Sequence, residues 1–236
     1  MKVSIIIPAY NEGKYIGETL EAVLHQDFPE EFEVIVADNA STDNTSEVAR
    51  SFPGVKVLYE GTKGVQFARE MARREAKGEI LACLDADSIP PRDWLKQGVS
   101  YFSSPKVVGV SGPYNYYDAD LFFRLQSLIL QKTFHRVAHL IVHNVFHRGA
   151  VMLGGNSFIR AAAMEKIGGF NTAIRFYGDD VDTARRLTTV GDVLFRGDLV
   201  VRSSARRFIK NSIFKVSCLY IINFIWVVLF KKPFSK

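Results

Sequence analysis

The stretch Ile80-Leu81-Ala82-Cys83-Leu84-Asp85-Ala86-Asp87-Ser88 joins five apolar residues to two carboxylates that are one residue apart. The apolar run is short, does not alternate with polar residues, and is bounded by Gly78 and by Pro90-Pro91. These features predict a strand that is buried on both faces, as in a parallel sheet covered by helices. Asp85 and Asp87 then follow the carboxyl end of this strand, where open α/β sheets bind their ligands.

Two carboxylates this close repel each other, so both stay ionised at low cost only beside a cation. A hard divalent metal is such a cation, and Mg²⁺ is commonly held by one or two carboxylates together with substrate phosphates. An alternative interpretation needs no ligand, because Asp87 or Ser88 can cap the N-terminus of the next helix. Taken alone, the motif leaves both interpretations open.

The composition indicates one large folded domain, or one domain with an appendage. The chain has 236 residues, of which 47% are hydrophobic and 23% are charged, so it can form a core. The net charge of +5 is modest, and basic residues are not interleaved with aromatic ones over most of the chain, so we expect no nucleic-acid partner. Cys83 and Cys218 lie far apart and imply no disulfide, and the apolar run at 3–7 is too short for a signal peptide. We therefore expect a cytoplasmic protein in a reducing compartment.

Strands and helices alternate along the first half of the chain. Strands are predicted at Val3–Ile7, Phe32–Ala37, Val55–Tyr59 and Ile80–Leu84, with helices at 14–25, at about 45–50 and from Gly64 to Ala76. This alternation predicts an α/β fold with a Rossmann-like, mostly parallel sheet flanked by helices. Neither a G-x-G-x-x-G motif after the first strand nor a P-loop lysine motif is present, so we expect no dinucleotide or P-loop site.

The second half begins with a predicted helix at 93–103, a strand at 107–111 and a long helix from Asp118 to about His147. Four histidines recur along the long helix at intervals of four residues, at His135, His139, His143 and His147. Histidines at this spacing can bind a metal, although no H-E-x-x-H motif accompanies them. The favoured interpretation is instead a polar stripe that faces solvent, substrate or lipid headgroups and consists of Arg124, Ser127, Gln131, His135, His139 and His143.

Two further segments combine glycine with polar residues. Gly154-Gly155 forms a hinge that enters a strand at Asn156, and Gly178-Asp179-Asp180 begins a helix that continues through Leu187. The adjacent acids can simply offset the dipole at the helix N-terminus. Spacing alone does not separate this explanation from a catalytic one.

The last part of the chain is strongly apolar. The uncharged run 216–230 is shorter than the ~20 residues that a membrane span needs. Basic residues flank it on both sides, at Arg202, Arg206, Arg207, Lys210, Lys231 and Lys232. This pattern predicts a C-terminal apolar helix lying on an anionic membrane surface, and the alternative is a helix packed on the core. We divide the chain into a domain at 1–210, with halves 1–112 and 113–210, and an apolar appendage at 211–236.

Four motifs, in the same order along the chain, resemble those of the family 2 glycosyltransferases. They cover about 3–207 and are Ser4-Ile5-Ile6-Ile7-Pro8-Ala9-Tyr10-Asn11-Glu12, the loop Asp38-Asn39-Ala40-Ser41-Thr42-Asp43, the D-x-D segment Leu84-Asp85-Ala86-Asp87, and Gly178-Asp179-Asp180, which is similar to the family's E-D motif. The resemblance implies a GT-A fold. It also implies inverting transfer of a sugar from a nucleotide-sugar donor.

The resemblance implies which residues bind the donor. Pro8, Tyr10 and Glu12 would line the base and ribose. Asp38 would accept a hydrogen bond from the base, and Lys63 would lie close by.

Further roles follow for the D-x-D segment and the later motifs. Asp85 would face ribose or sugar, and Asp87 would bind Mg²⁺ or Mn²⁺ on the diphosphate. Ala86, Asn156 and Arg206 are predicted as further substrate contacts. Asp180, with Asp179 beside it, would be the general base that takes the proton of the acceptor hydroxyl.

The sequence departs from the family pattern in four places. Asn39 stands where the family often has a second Asp, and Asp179 stands where it often has Glu. The late strand at 200–204 has no histidine to serve as a further metal ligand, and Arg206-Arg207-Phe208 matches only part of a basic-aromatic motif that some members use. The missing histidine predicts a metal that is held loosely or by the substrate.

Three functions are consistent with these motifs. The first is a metal-dependent inverting glycosyltransferase that acts at the cytoplasmic face of a membrane on a hydroxyl or lipid-linked glycan acceptor. The second is a non-catalytic nucleotide-sugar-binding module at the membrane, which the intact Asp87 and Asp180 disfavour. The third is a sugar-phosphate nucleotidyltransferase, which normally has a glycine-rich, arginine-bearing loop that is absent from 8–13.

Overall fold

The computed structural model describes residues 2–144, 150–174, 178–211 and Trp226, with backbone alone at 134–144 and 209–211. Ten strands are found in these residues: β1 (Val3–Ala9), β2 (Phe32–Asp38), β3 (Val55–Tyr59), β4 (Ile80–Leu84), β5 (Ser88–Ile89), β6 (Val107–Ser111), β7 (Tyr114–Tyr116), β8 (Asn156–Arg160), β9 (Asp192–Phe195) and β10 (Val201–Ser203). Eight α-helices accompany them: α1 (Ile16–Leu24), α2 (Thr45–Arg50), α3 (Val65–Glu75), α4 (Trp94–Ser100), α5 (Leu121–Asn144), α6 (Ala161–Lys166), α7 (Asp179–Leu187) and α8 (Arg206–Asn211). A short 3₁₀ helix, Tyr101–Ser103, follows α4.

Seven strands form the central sheet in the order β3-β2-β1-β4-β8-β6-β9. All neighbouring pairs are parallel except the two made by β8, which runs antiparallel to both β4 and β6. The predicted α/β fold with a mostly parallel sheet flanked by helices is therefore confirmed. Because β8 is reversed, its first residue lies at the same edge as the last residues of β1, β2 and β4.

A second, three-stranded sheet in the order β5-β10-β7 lies beside this edge. Its strands contain only two or three residues each. The backbone of β10 pairs with β7 from Val201 to Ser203 and with β5 at Arg202 and Ser203. This small sheet brings α8, the helix that follows β10, next to the loop after β4.

The core fills both faces of the central sheet. Strand β4 is buried at all five positions, as expected for a strand covered on both sides. The β1 side chains alternate between two apolar clusters, because successive residues of a strand point to opposite faces: Ile5 and Ile7 join one cluster, and Ile6 joins the other. Trp94 of α4 packs on Phe158 of β8 with ring centroids 4.6 Å apart.

Several boundaries differ from those predicted. Strand β1 was expected to stop at Pro8 but continues to Ala9. Proline is tolerated there because β4 pairs with β1 only as far as Ile6, so Pro8 has β2 alone beside it. The helix expected at 93–103 ends at Ser100 and is followed by the 3₁₀ turn.

Other predictions concern residues that the structure does not describe. The apolar run 213–230 and His147 lie outside the described residues, apart from Trp226, and so do the side chains of His135, His139 and His143. Within the described part of the chain, no helix combines the length and the apolar character that a membrane crossing requires.

Candidate active site

The carboxyl edge of the central sheet gathers the acidic residues singled out from the sequence. Asp38 is the last residue of β2, and Asp85 follows β4 directly. The Gly154-Gly155 turn precedes the reversed strand β8, and the backbone N–H of Asp85 donates to the carbonyl of Gly155 over 3.2 Å. The sheet therefore places β2, β4 and the turn before β8 at one edge, as the strand-end argument predicted.

Arg69 of α3 joins three of these carboxylates. Its Nη1 donates to Asp179 Oδ2 over 3.3 Å and to Asp180 Oδ1 over 3.1 Å, and its Nη2 lies 3.5 Å from Asp85 Oδ1. The side chain is only 6% exposed, so the ion pairs are poorly screened by water. These carboxylates raise the pKa of Arg69, although burial alone would lower it. Arg69 is therefore a fixed cation at the centre of the site.

The two glycines before β8 allow the backbone to approach the carboxylates closely. A Cβ at Gly154 would overlap the carboxylate of Asp180, and a Cβ at Gly155 would overlap that of Asp85. The N–H of Gly154 donates to Asp180 Oδ2 over 2.9 Å. Only glycine at these positions leaves room for this approach.

Asp179 and Asp180 begin α7 but face different surroundings. Asp179 Oδ2 accepts from Gln66 Nε2 over 2.7 Å as well as from Arg69, and its side chain is 13% exposed. The Asp180 side chain is 30% exposed, which leaves it the more accessible acid of the pair. Burial of the group, and then the negative charge of Asp179, raise the pKa of the Asp180 carboxyl. A carboxylate with a raised pKa is suited to accept a proton near neutral pH.

Asp87 lies opposite a different arginine. Arg206 Nη2 of α8 is 3.1 Å from Asp87 Oδ2 and also binds Glu12 Oε1, and the guanidinium lies over the ring of Tyr15. Burial, and then the charge of Asp85, raise the pKa of Asp87 to about 7, while Arg206 acts in the opposite direction. Burial also raises the pKa of Glu12, whose Oε2 is buried without a hydrogen-bond partner in the structure.

These residues fit a divalent metal that is shared with the substrate. Asp87 and Glu12 are carboxyls that resist ionisation in their present surroundings, and an added cation would favour the ionised form of both. Within the described residues, no group of three or more His, Cys, Asp or Glu side chains forms a complete ligand set. A metal bound through Asp87 would therefore take further oxygen ligands from phosphates, as Mg²⁺ often does.

Two side chains, those of Tyr114 and Arg69, hold the Asp85 carboxylate in place. The hydroxyl of Tyr114, in β7, donates to Asp85 Oδ2 over 3.0 Å, while Arg69 lies near Oδ1. The Asp85 side chain remains 38% exposed, so it is fixed by protein yet accessible to a ligand. The second sheet thus contributes directly to the site through β7.

The loop after β2 is held by the two residues at the strand end. Asp38 is buried, and its Oδ1 accepts from the N–H of Ser41 over 3.0 Å. Asn39 Nδ2 donates to the carbonyls of Glu60 and Thr62, and its Oδ1 accepts from the N–H of Gly64 over 2.7 Å. An aspartate could not make both kinds of bond, which explains the departure from the family pattern at Asn39.

The loop after β3, which Asn39 binds at Thr62 and Gly64, positions Lys63 beside Tyr10. Lys63 Nζ donates to the Tyr10 hydroxyl over 3.1 Å and lies 5.0 Å from the centre of its ring. Tyr10 is half-exposed at the end of β1, one residue beyond Ala9. Pro8 lies one residue further back, within β1, so these positions form one surface at the end of the strand.

Two predicted substrate contacts lie within the core. Asn156 is fully buried: its Oδ1 accepts from Trp94 Nε1 over 3.0 Å, and its Nδ2 donates to the carbonyls of Pro113 and Leu199. Ala86 is also buried, and its carbonyl accepts from the Thr19 hydroxyl. These contacts account for a structural role at both positions, and a contact of either residue with substrate stays a prediction.

Sequence reasoning missed Arg69, Gln66 and Tyr114. Arg69 lies in the middle of α3 with Arg73 and Arg74 nearby, a pattern typical of a solvated helix face. One signal was available, since Gln66, Arg69 and Arg73 recur at helical spacing on one side of α3. Tyr114 lies in a strand of three residues, which is too short to show a period.

The comparisons with known proteins agree with this geometry. Among curated proteins, the chain is 41% identical over 116 residues to the glycosyltransferase AglE of Haloferax volcanii. This match covers 47% of this chain and 38% of AglE. A second relative is the dolichyl N-acetyl-α-D-glucosaminyl phosphate 3-β-D-2,3-diacetamido-2,3-dideoxy-β-D-glucuronosyltransferase of Methanococcus voltae. The chain is 31% identical to it over 125 residues, and the match covers 48% of this chain and 39% of the relative. The chain thus spans well under half the length of these two relatives.

A solved structure matches nearly the whole chain. The mannosyltransferase PcManGT from Pyrobaculum calidifontis, determined in complex with GDP-Man and Mn²⁺, superimposes with a TM-score of 0.72 at 25% identity. The match covers 97% of this chain and 63% of PcManGT. The family model described as glycosyl transferase family 2 matches residues 4–168, which include the loop after β1, the D-x-D segment and the Gly154-Gly155 turn. The chain therefore belongs to glycosyl transferase family 2.

Proposed function

We propose that this chain is an inverting, metal-assisted glycosyltransferase that moves a sugar from a nucleoside-diphosphate sugar to a hydroxyl of a glycan or lipid-linked acceptor. One observation carries the proposal: the D-x-D carboxylates and the Asp179-Asp180 pair come from distant parts of the chain, yet Arg69 contacts both groups. A transferase needs this arrangement, because the leaving diphosphate and the attacking hydroxyl must be handled on either side of one carbon atom.

The donor lies along the ends of β1, β2 and β4. Tyr10 and Lys63 offer an aromatic and cationic surface for the base and ribose, with Pro8 and Glu12 beside it, and Asp38 receives the base. Asp85 orients the ribose or sugar. Asp87 would hold Mg²⁺ or Mn²⁺, which supplies positive charge that offsets the charge developing on the leaving diphosphate.

Asp180 acts as the general base. Its partly exposed carboxylate accepts the proton of the acceptor hydroxyl as the hydroxyl oxygen attacks the anomeric carbon from the side opposite the diphosphate. That direction of attack inverts the anomeric configuration. Asp179, which is bound by Gln66 and Arg69, lies beside it and fixes the start of α7.

The acceptor and the cellular location extend the same proposal. The Methanococcus voltae relative is named for a dolichyl phosphate-linked substrate. We assign this chain a lipid-linked acceptor, a position at the cytoplasmic face of a membrane, and membrane contact through the apolar sequence at 211–236. Membership of the family favours transfer over the nucleotidyltransferase and the non-catalytic binding module.

Thermal stabilisation by a panel of nucleotide-sugars, each with and without Mn²⁺, tests the donor and the metal together. We expect one nucleoside class to raise the melting temperature, and to do so more strongly with Mn²⁺. Release of the nucleoside diphosphate in the presence of acceptor then reports turnover and separates an enzyme from a binding module.

Asp87→Ala should abolish transfer and remove the Mn²⁺ dependence of nucleotide binding, because the diphosphate loses its counter-ion. Asp93→Ala is the matched control, since Asp93 is exposed and makes no side-chain capping bond. Near-normal, Mn²⁺-dependent turnover by Asp87→Ala would show that the metal role is assigned to the wrong residue.

A further inference from the structure

Helix α5 directs large apolar side chains away from the protein. Five of them, all more than half exposed, occupy its first three turns: Leu121, Phe122, Leu125, Ile129 and Leu130. Their spacing places them on one side of the helix. We call this set the α5 apolar face.

The opposite side of α5 contacts the protein through polar groups and through Phe123, which packs against the core. Gln131 Oε1 accepts from the N–H of Tyr114 over 2.9 Å, and its Nε2 donates to the carbonyl of Tyr114 over 3.0 Å. Arg124 Nε donates to Asn115 Oδ1 over 3.3 Å. A surface helix of a water-soluble domain normally turns its large apolar side chains toward the core. In α5 five of them point outward instead, so an apolar phase on that side would bury surface that the protein leaves exposed.

The charge of this region bears on which apolar phase would cover the outer side of α5. The 24 residues of α5 include no Asp or Glu, whereas Arg124, Lys132 and Arg136 are basic. Exposed Arg202 lies in β10, paired with Asn115 of β7. A helix that combines an exposed apolar face with only basic charged residues is typical of a segment that lies in the surface of a bilayer containing anionic lipids.

The α5 apolar face is also connected to the active site. Phe123, in the first turn of α5, packs with Phe208 of α8 and with Tyr116 of β7, at centroid separations of 5.9 Å and 5.8 Å. Helix α8 begins with Arg206, which reaches Asp87. In the sequence, α8 is followed by the apolar run 213–230. The aromatic cluster thus joins the α5 side of the protein to the metal-binding side of the site.

We propose that the α5 apolar face lies on an anionic lipid bilayer and holds the active-site edge close to the membrane surface. The consequence for the acceptor, whose lipid part would stay in the bilayer, rests on the proposed function. The lipid contact itself does not, so the two can be tested separately.

A fluorescent probe on the face tests the contact directly. The full chain carrying Cys218→Ser and Leu125→Cys is labelled with an environment-sensitive fluorophore, while Cys83 is buried and stays unlabelled. With vesicles of phosphatidylcholine and phosphatidylglycerol in equal parts, we expect a blue shift and quenching by brominated acyl chains. The matched control is Tyr59→Cys, on edge strand β3, where the native side chain is equally exposed and the probe should stay in water.

A second variant, with Phe122, Leu125 and Ile129 all changed to Gln, should weaken partition onto these vesicles at least about tenfold, since apolar area is lost without a change of charge. Tyr59→Gln should have no effect. An unshifted probe at position 125 would overturn the proposal, whether or not the chain sediments with vesicles.

One other outcome would identify a different occupant. If the triple variant keeps vesicle binding but changes a dimer into a monomer in vesicle-free sedimentation, the face is an interface between two copies, and the lipid proposal is wrong. Stabilisation by a nucleotide-sugar without vesicles reports separately on the proposed function. Its absence would count against that function and leave the α5 result unaffected.

Discussion

Arg69 and Arg206 lie at the same edge of the sheet, and they hold acidic residues in different ways. Arg69 is 6% exposed and contacts Asp179, Asp180 and Asp85, so protein surrounds it on every side. Arg206 is 37% exposed and contacts Glu12 and Asp87 from a short helix at the end of the domain. The first is enclosed by protein, whereas the second is partly open to solvent.

The difference suggests how the two sides of the site are prepared for reaction. On the base side, Arg69 and the N–H of Gly154 hold Asp180 in place before any ligand is bound. On the side of the proposed metal, Arg206 contacts the Asp87 carboxylate, to which a divalent cation would bind. We therefore expect donor binding to rearrange the metal side and to leave the base side unchanged.

Arg69→Gln should give the largest effect on stability. Removing one partner of a buried ion pair leaves uncompensated charge and costs about 3–5 kcal/mol of unfolding free energy. Burial, and then the charge of Asp179, raise the pKa of Asp180 to about 7, and Arg69 opposes them, so loss of the guanidinium should raise this pKa further. A carboxyl with a raised folded-state pKa stabilises the fold fully only below its unfolded pKa, and this stability is lost as the pH rises through the folded pKa. The deficit should therefore grow from about pH 4, the ordinary aspartate pKa, to above pH 7 in denaturant titrations.

Two further variants on α3 accompany this test, one at an exposed arginine and one at Arg69 itself. Arg74→Gln, on the same helix but largely exposed, should cost less than about 1 kcal/mol. Arg69→Lys should restore only part of the stability, because a single ammonium cannot reach three carboxylates as the guanidinium fork does. A pH-independent, small loss for Arg69→Gln would contradict the role of Arg69 as a fixed cation.

Arg206→Gln should give opposite changes in metal and donor binding. Without nucleotide, Mn²⁺ should bind about tenfold more tightly, because the competing cation beside Asp87 is gone. The KM for the nucleotide-sugar should rise by a similar factor, because the diphosphate loses a positive neighbour. Mn²⁺ titration by electron paramagnetic resonance and steady-state kinetics measure the two changes. A fall in both affinities would mean that Arg206 is a fixed cation like Arg69.

Tyr114→Phe should give the smallest effect. The variant removes the hydrogen bond to Asp85 Oδ2 but leaves Arg69 near Oδ1, and one such bond is worth about 1 kcal/mol. We expect a change of less than about tenfold in the donor KM, with the folded state retained in thermal melts. A larger loss would show that the second sheet, rather than Arg69, fixes the position of Asp85.

The sequence predicted the placement of the strand-end residues better than the contacts around Asp180, for a physical reason. Asp85 and Asp87 follow a buried strand directly, so a local pattern of nine residues contains both the strand and its ligands. Asp38 and Lys63 follow the same rule. In a parallel sheet, strand ends share one edge, so local patterns suffice to bring these residues together.

The contacts made by Arg69 and Arg206 are not visible in any local pattern. Arg69 and Asp180 are 111 residues apart, and Arg206 and Glu12 are 194 residues apart. The sequence also did not predict that β8 runs antiparallel to its neighbours. A strand that is buried at nearly every position has the same apolar pattern in either direction. Asp180 was recognised only through the family resemblance, since acids at a helix N-terminus have an ordinary explanation.

The orientation of α5 on the protein surface was also not predictable from the sequence. Its periodicity predicted a helix with a polar stripe, but periodicity does not say which side faces the protein. Gln131 settles this, because its amide bonds the backbone of β7 on both its donor and its acceptor side.

The central claim is that Asp180 is the general base, and single-turnover transfer by Asp180→Asn tests it most directly. We expect the rate of the chemical step to fall by about 10²-fold or more, with donor affinity unchanged, because the amide cannot accept the proton. For the unmodified protein, the acid limb of the pH–rate profile should lie above the ordinary aspartate range of about pH 4, since burial and Asp179 raise the pKa of Asp180. Near-normal transfer by Asp180→Asn, together with a slow Asp179→Asn, would contradict the account and identify Asp179 as the base.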